Sequence, residues 1–176
     1  YGNNTFVAVG ENRTILTSTD NGNTWVETED GTTETLYGVT YGNSNFVAVG
    51  DNGTILTSSD NGTSWDNRTS GTTKDLWEVT YGNSTFMTVG DNGTILSSSN
   101  NGTTWDNRTS GTTNPLWGVT YGNGIFVVVG PDGYIYTTSD GNSLTSRTSG
   151  ISNSMWGITY GNSTFVTGGY GGEILT

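Results

Sequence analysis

The fold is decided by residues 41–80, which read YGNSNFVAVGDNGTILTSSDNGTSWDNRTSGTTKDLWEVT. Residues 81–120 repeat this stretch almost unchanged, as YGNSTFMTVGDNGTILSSSNNGTTWDNRTSGTTNPLWGVT. Each copy opens with Tyr-Gly-Asn, and the successive spacings are 40, 40, 40 and 39 residues. A constant period of this length indicates a repeat architecture in which each unit packs on its neighbours. The copies begin near Tyr1, Tyr41, Tyr81, Tyr121 and Tyr160.

Each copy contains four short segments with the composition of β-strands. In the third copy these are residues 76–81, 86–90, 94–98 and 104–109, which are rich in Val, Ile, Thr and aromatic residues. Asp91-Asn92-Gly93 separates the second from the third, and this tripeptide favours a tight hairpin turn. No helical period persists anywhere in the chain. The sequence therefore predicts an all-β protein made of four-stranded antiparallel units.

A unit of about 40 residues with four antiparallel strands matches one blade of a β-propeller. A β-solenoid is the competing repeat fold, but its coils are shorter and lack two hairpins per unit. We therefore predict a single β-propeller array over residues 1–176, with about five blades. The first copy lacks the strand before Tyr1 and the last stops before its outer strand, so both are expected to be incomplete.

A second turn in each copy carries a motif. Residues 18–25 and 58–65 both fit Ser/Thr-x-Asp-x-Gly-x-x-Trp, whereas the third copy has Asn in place of Asp and the fourth has Leu in place of Trp. An Asp side chain can accept hydrogen bonds from backbone N–H groups ahead of it, and Gly supplies the positive φ of such a turn. We expect a structural role for these residues: Ser18, Asp20, Gly22, Trp25, Ser58, Asp60, Gly62, Trp65, Ser98, Asn100, Gly102, Trp105 and Asp140.

This motif resembles the Asp-box, or BNR repeat, of sialidase-like propellers, and the wider repeat is similar to photosystem assembly-factor propellers. The resemblance implies a propeller fold and, in the enzymes of the group, an arginine triad with a Tyr–Glu pair and an Asp. Here Arg68, Arg108 and Arg147 occupy one repeated position on the last strand of a copy, which is expected at the outer rim. Arginines spread around a rim cannot converge on one sugar carboxylate. We therefore expect a non-enzymatic member with no catalytic residues.

Composition narrows the function further. With 16 acidic and 5 basic residues the net charge is −11, which argues against nucleic-acid binding, and no apolar run is long enough for membrane insertion. The chain has no His and no Cys, so we expect no metal site and no cofactor. Paired carboxylates could still support glycoside hydrolysis. Glu27, Glu29, Asp30 and Glu34 form such a cluster, for which we expect a solvated surface role.

Two further features suit a cell-surface protein. Thr, Ser, Asn and Gly are abundant, and charged residues make up 12% of the chain, against about 25% in an average protein. Asn-x-Ser/Thr sequons, the acceptor sites for N-glycosylation, are also frequent, although turn chemistry alone can produce them. The candidate asparagines are Asn3, Asn12, Asn52, Asn61, Asn67, Asn83, Asn92, Asn101, Asn107 and Asn162.

Four aromatic residues share one strand position: Tyr37, Trp77, Trp117 and Trp156. Their regularity favours packing between blades, but a multivalent lectin would show the same regularity. Sugar stacking on these rings stays open at this stage.

Together these features predict an extracellular or cell-surface propeller that serves as a structural or adhesive scaffold. Incomplete terminal blades expose sheet edges that can recruit other copies of the chain into an oligomer or filament. A piece of a longer propeller is the alternative explanation of those ends. A carbohydrate-binding lectin and a sialidase-like glycoside hydrolase are the alternative functions, and glycans are the other candidate partners.

Overall fold

The computed structural model describes residues 1–28 and 32–176, and it contains five antiparallel sheets. Blade 1 consists of β1 (Phe6–Val9), β2 (Ile15–Ser18) and β3 (Val26–Glu27). Blade 2 consists of β4 (Leu36–Gly42), β5 (Asn45–Gly50), β6 (Ile55–Ser58) and β7 (Asp66–Arg68). Blade 3 consists of β8 (Leu76–Gly82), β9 (Thr85–Gly90), β10 (Ile95–Ser98) and β11 (Asp106–Asn107). Blade 4 consists of β12 (Gly118–Gly122), β13 (Ile125–Val129), β14 (Ile135–Thr138) and β15 (Thr145–Arg147), and blade 5 of β16 (Met155–Gly161), β17 (Thr164–Gly169) and β18 (Ile174–Leu175).

Each sheet is a meander in which every strand pairs with the next strand along the chain. This is the topology of a propeller blade, so the predicted all-β propeller is confirmed. Three blades have four strands, and blades 1 and 5 have three each. The outer strands are shorter than predicted: β11 covers Asp106–Asn107, because Trp105 is buried and Thr104 still belongs to the preceding turn.

The Asp-Asn-Gly steps form the tight hairpins that the sequence predicts. Asn52 and Gly53 have φ values of 54° and 72°, and the Thr54 N–H donates to the Asp51 carbonyl at 2.9 Å. Two successive residues with positive φ define a type I′ turn, which matches the twist of the flanking strands. The equivalent short turns of blades 3, 4 and 5 span Asp91–Gly93, Pro131–Gly133 and Tyr170–Gly172.

The hydrophobic core lies between blades rather than inside them. One cluster joins Val47, Val49 and Ile55 of blade 2 to Phe86 and Leu96 of blade 3. Two similar clusters join blade 1 to blade 2 and blade 3 to blade 4. Because each cluster needs side chains from two sheets, a single blade has no core of its own.

A tyrosine ring packs directly on a glycine between consecutive blades. A Cβ atom on Gly42 would overlap the ring of Tyr81, and one on Gly82 would overlap the ring of Tyr121. Each tyrosine ring also lies against the phenylalanine that pairs with it on the second strand of the same blade. The ring centroids of Tyr81 and Phe86 are 4.7 Å apart. The same contact recurs at each junction, between Gly2 and Tyr41, Gly42 and Tyr81, Gly82 and Tyr121, and Gly122 and Tyr160.

Exchange of Gly82 for alanine tests this contact. Because a Cβ atom would overlap the ring of Tyr121, we expect Gly82→Ala to reduce the free energy of unfolding by about 1–3 kcal/mol, as in other overpacked cores. Urea unfolding followed by tryptophan fluorescence measures the change. Gly161→Ala is the matched control, since no described atom lies within 4 Å of its Cβ position. Equal effects of the two substitutions in monomeric protein would contradict this role of the glycine.

Candidate functional site

The motif turns hold themselves together through side-chain to backbone hydrogen bonds. Asp60 accepts from the Ser64 N–H at 2.9 Å, from the Ser64 hydroxyl at 2.6 Å and from the Ser58 hydroxyl at 2.8 Å. Ser58 in turn accepts from the Gly62 N–H, and the Trp65 indole N–H donates to the Gly62 carbonyl. Asp20 makes the same set of bonds in blade 1. These bonds occupy the side chains of the motif within the turn itself.

The two divergent copies keep part of this pattern. Asn100 accepts from the Thr104 N–H at 3.0 Å through its side-chain oxygen, while its amide group donates to the Thr104 hydroxyl at 2.8 Å. In blade 4 the turn is tighter, so that Asp140 accepts from the Asn142 N–H. Leu144 replaces the tryptophan there and packs against the cluster shared by blades 3 and 4.

The hydrogen bonds also lower the pKa values of the motif aspartates. The Thr24 hydroxyl and N–H, followed by the Ser18 hydroxyl, lower the pKa of Asp20 to about 2. The pKa of Asp60 is lowered by Ser64, and that of Asp140 by Asn142. The turn thus stabilises the charged form of these carboxylates and keeps them ionised to lower pH than an ordinary aspartate.

The repeated arginines lie on the outermost strands, as their position in the repeat predicts. Arg68 donates to Thr57 and to Asp66 within blade 2, and Arg108 donates to Ser97 and Asp106 within blade 3. Arg147 donates to Thr137 within blade 4. Each arginine is therefore occupied in its own blade. Of the acidic cluster, Glu27 is exposed and Glu34 accepts from Asn52, while Glu29 and Asp30 lie outside the described residues.

All ten sequon asparagines are exposed. Eight of them have positive φ, a conformation that asparagine tolerates better than most residues, so the turns alone explain their presence. Asn67 and Asn107 are different, because they lie in the extended outer strands β7 and β11. At these two positions the backbone gives no reason for asparagine.

The four aromatic residues form a row along the first strands of blades 2 to 5. The pairing between the first and second strands shifts its register in three blades. The extra, bulged residue at each shift is Tyr37, Trp77 or Trp156. Trp117 directly precedes β12. A β-bulge redirects a side chain away from the regular alternation of the sheet. The rings therefore point toward their neighbours in the adjacent blades.

Two aspartates fix the first half of this row. The Tyr37 hydroxyl donates to Asp51 at 2.6 Å, which raises the pKa of Tyr37 to about 12, and the Trp77 indole N–H donates to Asp91 at 2.7 Å. The sequence identified Asp91 as a turn former but neither aspartate as a partner of the aromatic row. The ring centroids of Tyr37 and Trp77 are 4.5 Å apart.

Three residues of the row, Trp77, Trp117 and Trp156, surround a cavity of about 340 Å³. Glu78 completes its lining. The Trp117 and Trp156 rings meet edge to face with centroids 6.2 Å apart. The structure thus brings three of the four predicted sugar-stacking residues to one site, and it leaves Tyr37 outside. A volume of this size suits a small ligand.

Glu78 is a site residue that the sequence analysis did not identify. Gly38, Gly118 and Gly157 occupy its position in the other blades, so the substitution is visible when the copies are aligned. One carboxylate oxygen accepts from the Val79 N–H at 3.1 Å and lies beside Gly38 of the preceding blade. Burial raises the pKa of this carboxyl group to about 7.

The structure offers no grouping of Asp and Glu, within residues 1–28 and 32–176, that could hold a metal ion. Those residues also contain no helix of the length and apolarity that crossing a membrane requires.

Several solved structures share the fold of this chain. The chain resembles YCF48 bound to D1 peptide, with a TM-score of 0.74 and 17% identity over 96% of this chain and 58% of that one. YCF48 from Cyanidioschyzon merolae gives a TM-score of 0.72 at 14% identity, over 99% and 66% of the two chains. The computationally designed protein Ika8 gives a TM-score of 0.76 at 14% identity, over 99% and 55%. These similarities support a β-propeller scaffold.

The chain spans about 55–66% of the length of these three structures. No family model and no curated protein matches the sequence. At identities below 20% the likeness concerns the fold alone.

Replacement of Asp60 tests the turn. We expect Asp60→Ala to reduce the free energy of unfolding by about 1 kcal/mol, since three hydrogen bonds to a carboxylate are lost at a solvent-exposed site. Asp60→Asn is expected to lose less, because Asn100 already occupies this position in blade 3. Chemical unfolding at neutral pH measures both, and an equal loss in the two variants would contradict the proposed role of the side-chain oxygen.

Replacement of Glu78 tests its burial. The carboxyl pKa is about 7 in the folded protein and 4.5 for the ordinary group, so the folded state binds the proton more tightly and wild-type stability falls as pH rises through this window. Glu78→Gln removes the charge. We expect the variant to match wild type below about pH 4 and to exceed it by up to about 3 kcal/mol above about pH 7. Urea unfolding across the pH range measures the difference, and a constant offset between the proteins would contradict the assignment.

Proposed function

We propose that this protein is an extracellular or cell-surface scaffold whose copies join head to tail through the exposed faces of blades 1 and 5. The observation that carries the proposal is that, among the described residues, blade 5 presents Gly161 with no tyrosine against it and blade 1 presents Tyr1 with no glycine against it. Within the chain the same two residues make the contact between every pair of consecutive blades.

The free surface of blade 1, here called the entry face, consists of Tyr1, Gly22 and Trp25. Tyr1 is 66% exposed, yet its ring lies 4.5 Å from the ring of Phe6, as the buried tyrosines lie against their own phenylalanines. Trp25 is 43% exposed, whereas Trp65 and Trp105 at the same motif position are buried. The entry face therefore holds its aromatic side chains in the arrangement that interior blades use for packing.

The free surface of blade 5, here called the exit face, consists of Gly157, Ile158, Gly161, Val166 and Ile174. No described atom lies within 4 Å of a Cβ position on Gly157 or Gly161. Gly157, Ile158, Val166 and Ile174 line a shallow cavity of about 350 Å³. An open apolar surface of this kind favours a protein partner.

The interior junctions show how the two faces fit. Gly62 of blade 2 lies over Thr17 and Val7 of blade 1, and Gly102 of blade 3 lies over Thr57 and Val47 of blade 2. Val166 occupies the repeat position of Val7 and Val47, and Gly22 that of Gly62. On this pattern the Tyr1 ring of a second copy covers Gly161, and its Gly22–Trp25 turn covers Val166.

Side-chain amides reinforce such a junction at the rim. Asn3 donates to Asn61 across the first junction at 2.7 Å, and Asn43 donates to Asn101 across the second. Asn162 holds this position in blade 5 and Asn21 holds the accepting position in blade 1. The same hydrogen bond between two asparagine side chains can therefore form between copies.

The contact is heterologous, because the entry and exit faces are different surfaces. Two copies would contribute ten blades, more than the four to eight blades of typical propellers. A heterologous contact that does not close continues indefinitely. We therefore expect open-ended assemblies, which suit a structural or adhesive layer.

A location outside the cell is supported by the surface chemistry. The net charge is −11, and all ten sequon asparagines are exposed, including Asn67 and Asn107 on the outer strands. Carbohydrate on those outer strands would leave the entry and exit faces free.

Single substitutions at the two faces test the assembly. We expect wild type to show masses well above 18.6 kDa in light scattering, rising with concentration. Gly161→Ala is expected to reduce association by at least about tenfold, because the added methyl group overlaps the incoming Tyr1 ring. Tyr1→Ala is expected to weaken association from the other side.

Mixing the two variants tests the polarity. Tyr1→Ala retains an intact exit face and Gly161→Ala an intact entry face, so the mixture can form one good junction and no more. We expect a dimer of twice 18.6 kDa that neither variant forms alone. A wild-type protein that stays monomeric at every concentration, or variants that assemble like wild type, would overturn the proposal.

A further inference from the structure

We propose that the cavity between Trp77, Trp117 and Trp156 binds a small quaternary ammonium cation, with Glu78 as its counter-ion. The site is independent of the end-to-end contact, because three of its residues belong to blades 3 and 4 and the fourth, Trp156, lies outside the entry and exit faces.

The walls of the cavity are aromatic. A cation within about 6 Å of the face of an indole ring is attracted by the negative charge of the π system, and tryptophan gives the strongest effect of the natural side chains. Three indoles from three consecutive blades surround the same space, and Trp117 and Trp156 hold each other edge to face. Trp77 is fixed by its bond to Asp91. The Trp77 wall of the cavity is therefore preorganised, whereas Trp156 is 65% exposed and is held through its contact with Trp117.

The floor of the cavity carries one carboxylate and no other charged group among the described residues that line it. Glycine at the same position in blades 2, 4 and 5 shows that the propeller does not need a side chain there. Burial raises the pKa of Glu78 to about 7, so an unliganded Glu78 opposes folding at neutral and alkaline pH. A bound cation supplies a positive charge beside this carboxylate and so stabilises its ionised form.

On the side of Glu78 away from the cavity, a glycine of the neighbouring blade leaves room for the glutamate side chain. Gly38 of blade 2 lies against the Glu78 backbone, with its Cβ position 3.1 Å from the Glu78 Cα and 3.3 Å from one carboxylate oxygen. A larger residue at position 38 would displace the carboxylate. Glu78 is thus held at the cavity wall by the neighbouring blade and by the Val79 N–H.

The lining chemistry distinguishes a cation from a sugar. A sugar presents several hydroxyl groups, each of which needs a hydrogen-bonding partner when it leaves water. Here one carboxylate oxygen accepts from Val79 and the Trp77 indole N–H is bound to Asp91. The second carboxylate oxygen and the indole N–H groups of Trp117 and Trp156 are then the polar atoms of the lining that a ligand can use, which is few for a ligand with many hydroxyl groups. A trimethylammonium group makes no such demand, since it donates no conventional hydrogen bond and needs only aromatic faces and a counter-charge.

Choline is the probe for the test, and 3,3-dimethylbutanol is its neutral isostere. Titrations at about pH 8, where Glu78 is ionised, follow tryptophan fluorescence and calorimetric heat. We expect choline to bind at least about tenfold more tightly than the neutral alcohol, because the shared shape leaves charge as the difference.

Variants assign the binding to this site. Glu78→Gln is expected to lose about tenfold in choline affinity, and Trp117→Ala to abolish binding, while Trp117→Phe retains part of it. Trp25→Ala, outside the cavity, is the matched control and should bind as wild type does. Because Glu78→Gln is expected to be more stable than wild type, loss of binding in that variant cannot be explained by unfolding.

Three results would overturn the proposal. Equal affinities for choline and the neutral alcohol would show a merely apolar cavity, and absence of choline binding would show no cation site at all. Tighter binding of any member of a monosaccharide panel, lost in Trp117→Ala, would identify a lectin instead. None of these outcomes depends on whether the copies assemble, since the titrations can be made with monomeric Gly161→Ala.

Discussion

The packing of a tyrosine ring directly on a glycine sets the distance between consecutive blades, and the rest of the structure follows from that distance. A Cβ atom on Gly42 or Gly82 would occupy the space of the next ring, so the sheets can approach only where the side chain is absent. The close approach brings β-branched and aromatic side chains of two sheets into one cluster. Stability therefore belongs to the junctions between blades, as in other repeat proteins.

Local chemistry explains which parts of this structure could be predicted from the sequence. The Asp-Asn-Gly turns are determined by residues within four positions of one another, so the hairpins and the four-stranded blade were predictable. The contact between Gly42 and Tyr81 joins residues in different copies and requires the blade spacing in advance. Trp25 and Trp65 share one motif, yet one is half-exposed and the other buried, because Trp65 packs into the cluster that blades 1 and 2 share.

The aromatic site was predictable only in part, for a related reason. Equal spacing in the repeat placed Tyr37, Trp77, Trp117 and Trp156 on equivalent strands, but the bulges that redirect these rings cannot be seen in the strand pattern. Asp51 and Asp91 are followed by Pro131 and Tyr170 at the same position in blades 4 and 5. The indoles of Trp117 and Trp156 thus lack the aspartate that anchors Trp77, and the cavity opens in the part of the row where this anchor is missing.

Near-identical copies make each departure from the repeat informative. Some differences between the second and third copies exchange one polar residue for another in a turn, such as Asp60 and Asn100, and others exchange one buried residue for another, such as Val47 and Met87. Glu78 is different, because a buried carboxylate replaces a glycine at a position where the other blades need only a close backbone approach. Burial opposes the charged form of this carboxylate. A carboxylate that faces a cavity, where blades 2, 4 and 5 have glycine, is most simply explained by what it binds, whereas the repeated residues are explained by how the blades stack.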